Sequence, residues 1–216
     1  MGGGDSKQFL PLCGVPAILH TMRAFEGAGE VRACVVVCRR EDCGRMRLLA
    51  QRYGLRKIAA IVAGGDTRQR SVAAGVAAVP GEAGWLAIHD GARPLVTPEE
   101  IDGCVRDARR FGASALCVKV KDTLKLTDED GFIVSTPPRE RLRAVQTPQV
   151  FERAAYERAL RRAESEGEDY TDDCQLFEHM GRRVHLYAGG YDNIKLTTSD
   201  DIPAAEAVLQ RRGKKG

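Results

Sequence analysis

Three polar motifs in this sequence join a tight turn to charged or hydroxyl side chains. They are Gly64-Gly65-Asp66-Thr67-Arg68-Gln69-Arg70-Ser71, His89-Asp90-Gly91-Ala92-Arg93-Pro94 and Asp122-Thr123. Each follows an apolar run that reads as a strand. In open parallel sheets ligands bind beyond the carboxyl ends of the strands, and the helices that follow offer free N–H groups to anions. Taken alone, Gly64-Gly65 reads as a turn, and Asp90 with Arg93 reads equally well as a mutual ion pair. Their convergence at one sheet edge is what favours a site. A later group adds Arg139, Gln146-Thr147-Pro148-Gln149 and Asn193-Ile194-Lys195. Lys195 lies between apolar neighbours, unlike a solvated lysine, although a snorkelling lysine at a strand end fits too. Lys7 in a glycine-bearing loop suits a phosphate contact. Thr171-Asp172-Asp173 most simply caps a helix. Lys7, Arg93, Arg139 and Lys195, with Asp90 and Asp122, suit a polyphosphate-plus-metal site, where cations and Mg²⁺ neutralise charge on phosphoryl oxygens.

Other chemistries find less support. No Ser-His-Asp set with a helpful context occurs, no G-x-x-x-x-G-K-[ST] loop is present, and no G-x-G-x-x-G follows a strand. Cys13, Cys34, Cys38, Cys43, Cys104, Cys117 and Cys174 form no C-x-x-C pair. An odd, scattered set reads as buried reduced thiols of a cytoplasmic protein. Phe9–Leu19 is interrupted by two prolines and a glycine, which argues against a signal-peptide core, and no apolar run reaches the length of a membrane span. The 33 Lys and Arg nearly balance 30 Asp and Glu, and four of the cations lie in the last six residues. The body is therefore close to neutral, against a general nucleic-acid surface.

The elements that must position these groups alternate. Val31–Cys38, Ile58–Val62, Trp85–His89 and Ala113–Val120 read as strands apolar on both faces. Helices lie between them, after Cys43, over Arg68–Ala78 and after Thr97-Pro98. This pattern predicts an α/β fold with a mostly parallel sheet covered by helices. From Lys121 the character changes. Leu124–Thr127 and Phe132–Val134 flank Asp130-Gly131, which predicts a β-hairpin exposed on at least one face. A helix over Glu152–Arg162, short strands at Val184–Tyr187 and Ile194–Leu196, and a closing helix over Asp200–Gln210 capped by Thr198 or Ser199 complete the reading. The final Arg-Arg-Gly-Lys-Lys-Gly reads as a frayed tail. No repeat or linker interrupts residues 1–216, so we expect one domain with an arm inserted at about 121–145.

In order along the chain stand Lys7-Gln8-Phe9-Leu10, Gly14-x-Pro16 with His20-Thr21, the Gly64–Ser71 loop, and His89–Pro94. Asp122-Thr123, Gln146–Gln149, Thr171–Asp173 and Asn193-Ile194-Lys195-x-Thr197-Thr198 follow. Together they resemble the 2-C-methyl-D-erythritol 4-phosphate cytidylyltransferase family of the non-mevalonate isoprenoid pathway, from residue 1 to about 209. The resemblance implies a Rossmann-like nucleotidyltransferase fold, CTP and methylerythritol phosphate as substrates, and Mg²⁺ or another divalent cation. It implies that Lys7 stabilises the transition state and that Arg139 and Lys195 position the substrate phosphate. Gly64, Gly65, Asp66 and Ser71 would read cytosine, and Asp90 and Gly91 would lie near ribose and metal. Arg93, Asp122, Thr123 and Thr147 would face the polyol phosphate. The arm would cross to a second subunit, so that Arg139 serves the neighbour's site in a homodimer.

Two departures stand out. Gly91 occupies a position where the family more often has alanine. The family also begins with an apolar strand and a G-x-G-x-R-M-G phosphate loop, of which only Met1-Gly2 is matched. The first strand is then missing, and Met1 would be an internal methionine of a longer chain. Two rival readings fit the same motifs: a ribitol-5-phosphate cytidylyltransferase, and an inactive nucleotide-binding dimer lacking the phosphate loop.

Overall fold

The computed structural model describes residues 7–214, and of Lys7 only the backbone. The chain opens with a miniature hairpin, β1 (Pro11–Leu12) and β2 (Val15–Pro16), turned by Cys13 and Gly14 at positive φ. Helix α1 (Ala17–Gly27) follows directly. β3 (Cys34–Cys38) is the β-branched run Cys-Val-Val-Val-Cys, α2 spans Cys43–Arg52, β4 spans Ile58–Ala63, and α3 spans Arg68–Ala77. β5 (Trp85–Ile88) leads to α4 (Pro98–Phe111). The boundaries of α4 follow from its sequence. Thr97 and Glu100 form a reciprocal capping box, Pro98 sits in the first turn, and Gly112 closes the helix at φ +89°. β6 (Ala113–Lys119) is buried over most of its length.

The predicted arm is present as β7 (Leu126–Thr127) paired antiparallel with β8 (Ile133–Ser135), with Gly131 at φ +85° between them. After it come β9 (Arg143–Glu152), α5 (Arg153–Glu166), α6 (Asp173–His179), β10 (His185–Ala188) and α7 (Asp201–Gly213).

The strands form two main sheets. One has the order β10-β6-β9-β5 and the other is β3-β4. The expected parallel pairing holds for β3 with β4 and for β6 with β10, whereas β9 runs antiparallel to both β5 and β6. The ten-residue β9 escapes a pattern search because Gln146, Thr147 and Gln149 interrupt its apolar run, yet all three are buried.

Helices cover both faces of this framework. On one, α5 and α6 bring Tyr156 and Phe177 against Phe151 of β9, with ring centroids 5.2 and 4.4 Å away. On the other, α1 and α4 pack Phe25, Ile101 and Val105 against Leu116 and Val150. Close approach of α4 to β10 requires Gly103, because a Cβ there would lie 2.4 Å from the Tyr187 hydroxyl oxygen.

Four expectations change. Ile194–Leu196 is no strand, although Leu196 N–H donates to Ala92 O at 2.8 Å. The last helix is not capped by Thr198 or Ser199. Instead the Asp201 carboxylate accepts from the backbone N–H groups of Thr197 and Thr198. The tail is helical through Gly213, because Arg211 pairs with Asp192 and Arg212 donates to Leu95 O. All seven thiols are free and five are buried, but Cys34 is only partly buried and Cys13 is exposed. Among the described residues no helix is long and apolar enough to cross a membrane.

Candidate active site

The loop after β4 is shaped by its glycines. Gly64 N–H donates to Cys38 O at 2.9 Å, and a Cβ on Gly64 would lie 2.7 Å from Ser71 Oγ. A Cβ on Gly65 would lie 2.6 Å from Arg70 Cβ. Thr67 caps α3 by accepting from Arg70 N–H, and Ser71 Oγ donates back to Thr67 O at 2.9 Å. Asp66 is exposed and faces Arg70, whose hydrogen bond holds its carboxyl below the usual carboxylate range.

The loop after β5 is held through a relay. Arg93 O can only accept, so its 3.2 Å contact with His89 assigns the ring proton to Nε2. His89 Nδ1 then accepts from Thr147 Oγ1–H at 3.1 Å, and the same Thr147 oxygen accepts from Asp90 N–H at 3.0 Å. Desolvation pushes His89 down to about 4, so the imidazole is neutral near pH 7. Thr147 thus orients Asp90 from a buried position within β9.

Asp90 is the centre of the site. Its Oδ2 lies 2.9 Å from Lys195 Nζ, and its Oδ1 lies 3.6 Å from Arg68 Nη2. Burial pushes the carboxyl upward, but Lys195, Arg68 and Arg93 outweigh it and keep the group below its ordinary pKa. The suggested Asp90–Arg93 side-chain pair does not form. Arg93 Nη1 donates instead to Asn193 O at 2.8 Å, and Asn193 Nδ2 donates to Thr147 O at 3.0 Å. These bonds tie the Lys195 loop to the loop after β5 and to strand β9.

One cluster was not legible in the sequence. Arg68 also reaches Asp173 at 2.5 Å, and the hydroxyl of Tyr156 donates to the other Asp173 oxygen. Burial opposes the Arg68 charge, yet Asp173 and Asp90 raise its pKa further. Asp172 does cap α6, as expected, by accepting from Cys174 N–H. Asp173 instead lies buried as a counter-ion. The Thr171–Asp173 motif pointed to the segment, but nothing signalled Tyr156 as its partner.

The structure brings together Gly64, Gly65, Arg68, Ser71, Asp90 and Gly91 along one cleft. Lys195, Arg93 and Thr147 join them through the bonds above. Asp122, Thr123 and Arg139 are exposed on the arm, where Arg139 Nη1 donates to Lys121 O at 2.9 Å. The Lys7 side chain lies outside the described residues.

Cations surrounding one carboxylate beside a helix N-terminus suit a polyanionic ligand. Among the described residues no three His, Cys, Asp or Glu side chains gather to hold a metal. Mg²⁺ is commonly held by one or two carboxylates together with substrate phosphates and water. Asp90 fits that mode and does not form a protein-only cage.

Known proteins resemble this chain over nearly its whole length. Residues 1–211 match the family model described as 2-C-methyl-D-erythritol 4-phosphate cytidylyltransferase. The chain is 43% identical over 213 residues to the protein of that name from Pelotomaculum thermopropionicum, covering 98% of this chain and 90% of the relative. It is 44% identical to the one from Desulforamulus reducens, covering 98% of this chain and 91% of that relative. The crystal structure of 4-diphosphocytidyl-2C-methyl-D-erythritol synthase from Anaerococcus prevotii superposes with a TM-score of 0.88 at 29% identity, over 97% of this chain and 92% of that one. A likeness running through nearly the whole chain, in sequence and in fold, makes this protein a member of the 2-C-methyl-D-erythritol 4-phosphate cytidylyltransferase family.

Proposed function

We propose that the chain transfers the cytidylyl group of CTP to 2-C-methyl-D-erythritol 4-phosphate in isoprenoid precursor synthesis. An oxygen of the polyol phosphate bonds to the α-phosphorus of CTP. The bond from that phosphorus to the bridging oxygen breaks, and pyrophosphate leaves with the electron pair. The products are 4-diphosphocytidyl-2-C-methyl-D-erythritol and pyrophosphate. The attacking group is already an anion, so the protein supplies positioning and charge neutralisation and no nucleophile of its own.

The observation that carries this reading is the Lys195–Asp90–Arg68 array beside the Gly64–Gly65 turn. In this assignment Gly64, Gly65, Asp66 and Ser71 read the cytosine, the two glycines letting the backbone approach the base. Asp90 and Gly91 lie at the ribose. Lys195 and Arg139 hold the polyol phosphate, with Arg93, Asp122, Thr123 and Thr147 around it, and Lys7 neutralises the transferring phosphoryl group. A divalent cation, Mg²⁺ for preference, would arrive with the triphosphate, be held by Asp90 and neutralise phosphate charge.

The exposed apolar arm supports a homodimer in which Arg139 serves the partner's site. The free thiols support a cytoplasmic location. Both compared relatives carry the methylerythritol name, which favours that polyol over ribitol 5-phosphate.

A pyrophosphate-release assay tests the reaction. Release should require CTP and methylerythritol phosphate together. Release with ribitol 5-phosphate but not with methylerythritol phosphate, or no release with either polyol, would overturn it.

A further inference from the structure

We infer that Glu100 is a positioning residue for Lys195. Its carboxylate, in the first turn of α4, accepts from the backbone N–H of Gly190 and so holds the loop after β10 that carries the lysine. The kinetic consequence of that role rests on the reaction proposed above, whereas its structural consequence does not.

The carboxylate serves two elements that lie far apart in sequence. Oε2 accepts from Thr97 N–H at 3.0 Å, and Thr97 Oγ1 accepts from Glu100 N–H at 3.3 Å, which together make the capping box of α4. A capping box needs one side-chain acceptor at this position, and glutamate and glutamine both supply it. The second oxygen is therefore spare as far as the helix is concerned. Oε1 takes the Gly190 N–H at 2.7 Å, a shorter bond than the one made within the box. Hydrogen bonds accepted by a carboxylate are roughly twice as strong as those between neutral groups.

Gly190 fits closely against this carboxylate, since a Cβ there would lie 2.9 Å from Glu100 Oε1. Its carbonyl accepts from Gln146 Nε2 at 3.1 Å and from Asn193 N–H at 3.2 Å. The residue is thus fixed at both its N–H and its C=O. Just before it, Gly189 N–H donates to Cys117 O at 2.8 Å, one residue beyond the β10–β6 pairing. The chain leaves the sheet and is caught at once by α4.

Lys195 depends on such support. Its side chain is about half exposed, so packing does little to fix it and the backbone of the loop must. On the far side of the lysine, Leu196 N–H donates to Ala92 O at 2.8 Å. On the near side the anchor is Gly190. Behind Glu100 stands a rigid element, because Ile101, Cys104, Val105 and Ala108 of α4 pack in one core cluster with Leu116 and Val150. A loop tied to that helix takes its place from the core, as a group that must meet a substrate precisely requires.

Three variants separate holding the loop from capping the helix. Glu100→Ala removes both bonds, and Thr97→Ala weakens the cap while leaving the Gly190 bond in place. Glu100→Gln keeps one carbonyl acceptor for the two donors. Amide hydrogen exchange and steady-state kinetics are measured on all three and on the parent. In Glu100→Ala, exchange should quicken at least about tenfold in residues 190–196, beyond any change in Thr97→Ala. kcat/KM for methylerythritol phosphate should fall about tenfold, carried by KM, with kcat within about twofold of the parent. That is less than for loss of Lys195 itself, because Gln146 and Leu196 still hold the loop. Thr97→Ala should keep the parent KM, and Glu100→Gln should recover part of the loss. Unchanged loop exchange in Glu100→Ala overturns the role. So does a fall in kcat at the parent KM, the mark of a smaller folded fraction, and so does an equal KM rise in Thr97→Ala. A parent without turnover would defeat the proposed reaction instead, and the exchange comparison would still decide the role of Glu100.

Discussion

Lys195 Nζ lies 2.9 Å from Asp90 Oδ2, joining the loop after β10 to the loop after β5. Lys195 is about half exposed, so the pair adds little to stability and leaves the ammonium able to meet an incoming anion. Lys195→Ala should lower kcat/KM with methylerythritol phosphate by about 100-fold or more, the usual cost of losing a charge-stabilising donor. CTP binding and the melting temperature should change little. Steady-state kinetics beside CTP titration calorimetry checks this, and unfolding of the variant would make Lys195 structural.

His89 supplies a pH prediction with a definite sign. Its pKa falls from 6.5 to about 4 on folding, so between those values the unfolded chain binds more protons than the folded one. Stability is therefore full above about pH 6.5 and declines as pH falls toward 4, by up to about 3 kcal/mol. Denaturant melts at several pH values should show that slope in the parent and lack it in His89→Asn. An unchanged slope in the variant would remove His89 as its cause.

Much of this architecture is legible in the sequence because its signals are local. The capping box of α4 and the β-branched run of β3 depend only on neighbours a few positions away, as does the Asp130-Gly131 turn of the arm. β9 is hidden because its polar residues are satisfied by groups far along the chain: Gln149 Nε2 donates to Asp172, and Thr147 serves His89 and Asp90. The same holds at the site. Asp90, Arg68 and Lys195 could be named from their motifs, but the choice of Lys195 over Arg93 as the partner of Asp90 depends on where Asn193 places its carbonyl. No spacing rule carries that information.

Glycine substitutions separate two kinds of close contact. A Cβ at Gly91 would sit 3.0 Å from Ile18 Cδ1, the free end of a side chain that can turn aside. Gly91→Ala should change stability by no more than about 0.5 kcal/mol and leave turnover near the parent value. At Gly65 the clash is with Arg70 Cβ at 2.6 Å, next to helical backbone. Gly65→Ala should cost about 1–3 kcal/mol and raise KM for CTP. Thermal melts and kinetics on both variants provide the comparison.

Asp173 is the buried counter-ion of Arg68 and the acceptor of the Tyr156 hydroxyl. Asp173→Asn keeps the volume but removes the charge, leaving Arg68 with Asp90 as an ion partner. Breaking a buried pair on one side costs about 3–5 kcal/mol, so a loss near the lower bound is expected because Arg68 is partly exposed. Tyr156→Phe should cost only about 1 kcal/mol. A cost for Asp173→Asn no larger than that of Tyr156→Phe in urea melts would show that the ion pair contributes little.

Leu126, Phe132, Ile133 and Val134 are all exposed, with Phe132 at 71% of its full accessibility. None belongs to a core cluster of the described residues. Four apolar side chains on a two-stranded arm present a compact patch that a second copy of the arm or of the domain would cover. Phe132→Ser with Val134→Ser should shift the protein from dimer to monomer in sedimentation velocity, and the melting temperature at low protein concentration should hold. Arg139 stands beside this arm, so activity should fall with the dimer and recover partly at high protein concentration. Arg139→Ala should instead abolish activity at every concentration while leaving the dimer intact. A protein that is monomeric and fully active before any substitution would defeat the shared site.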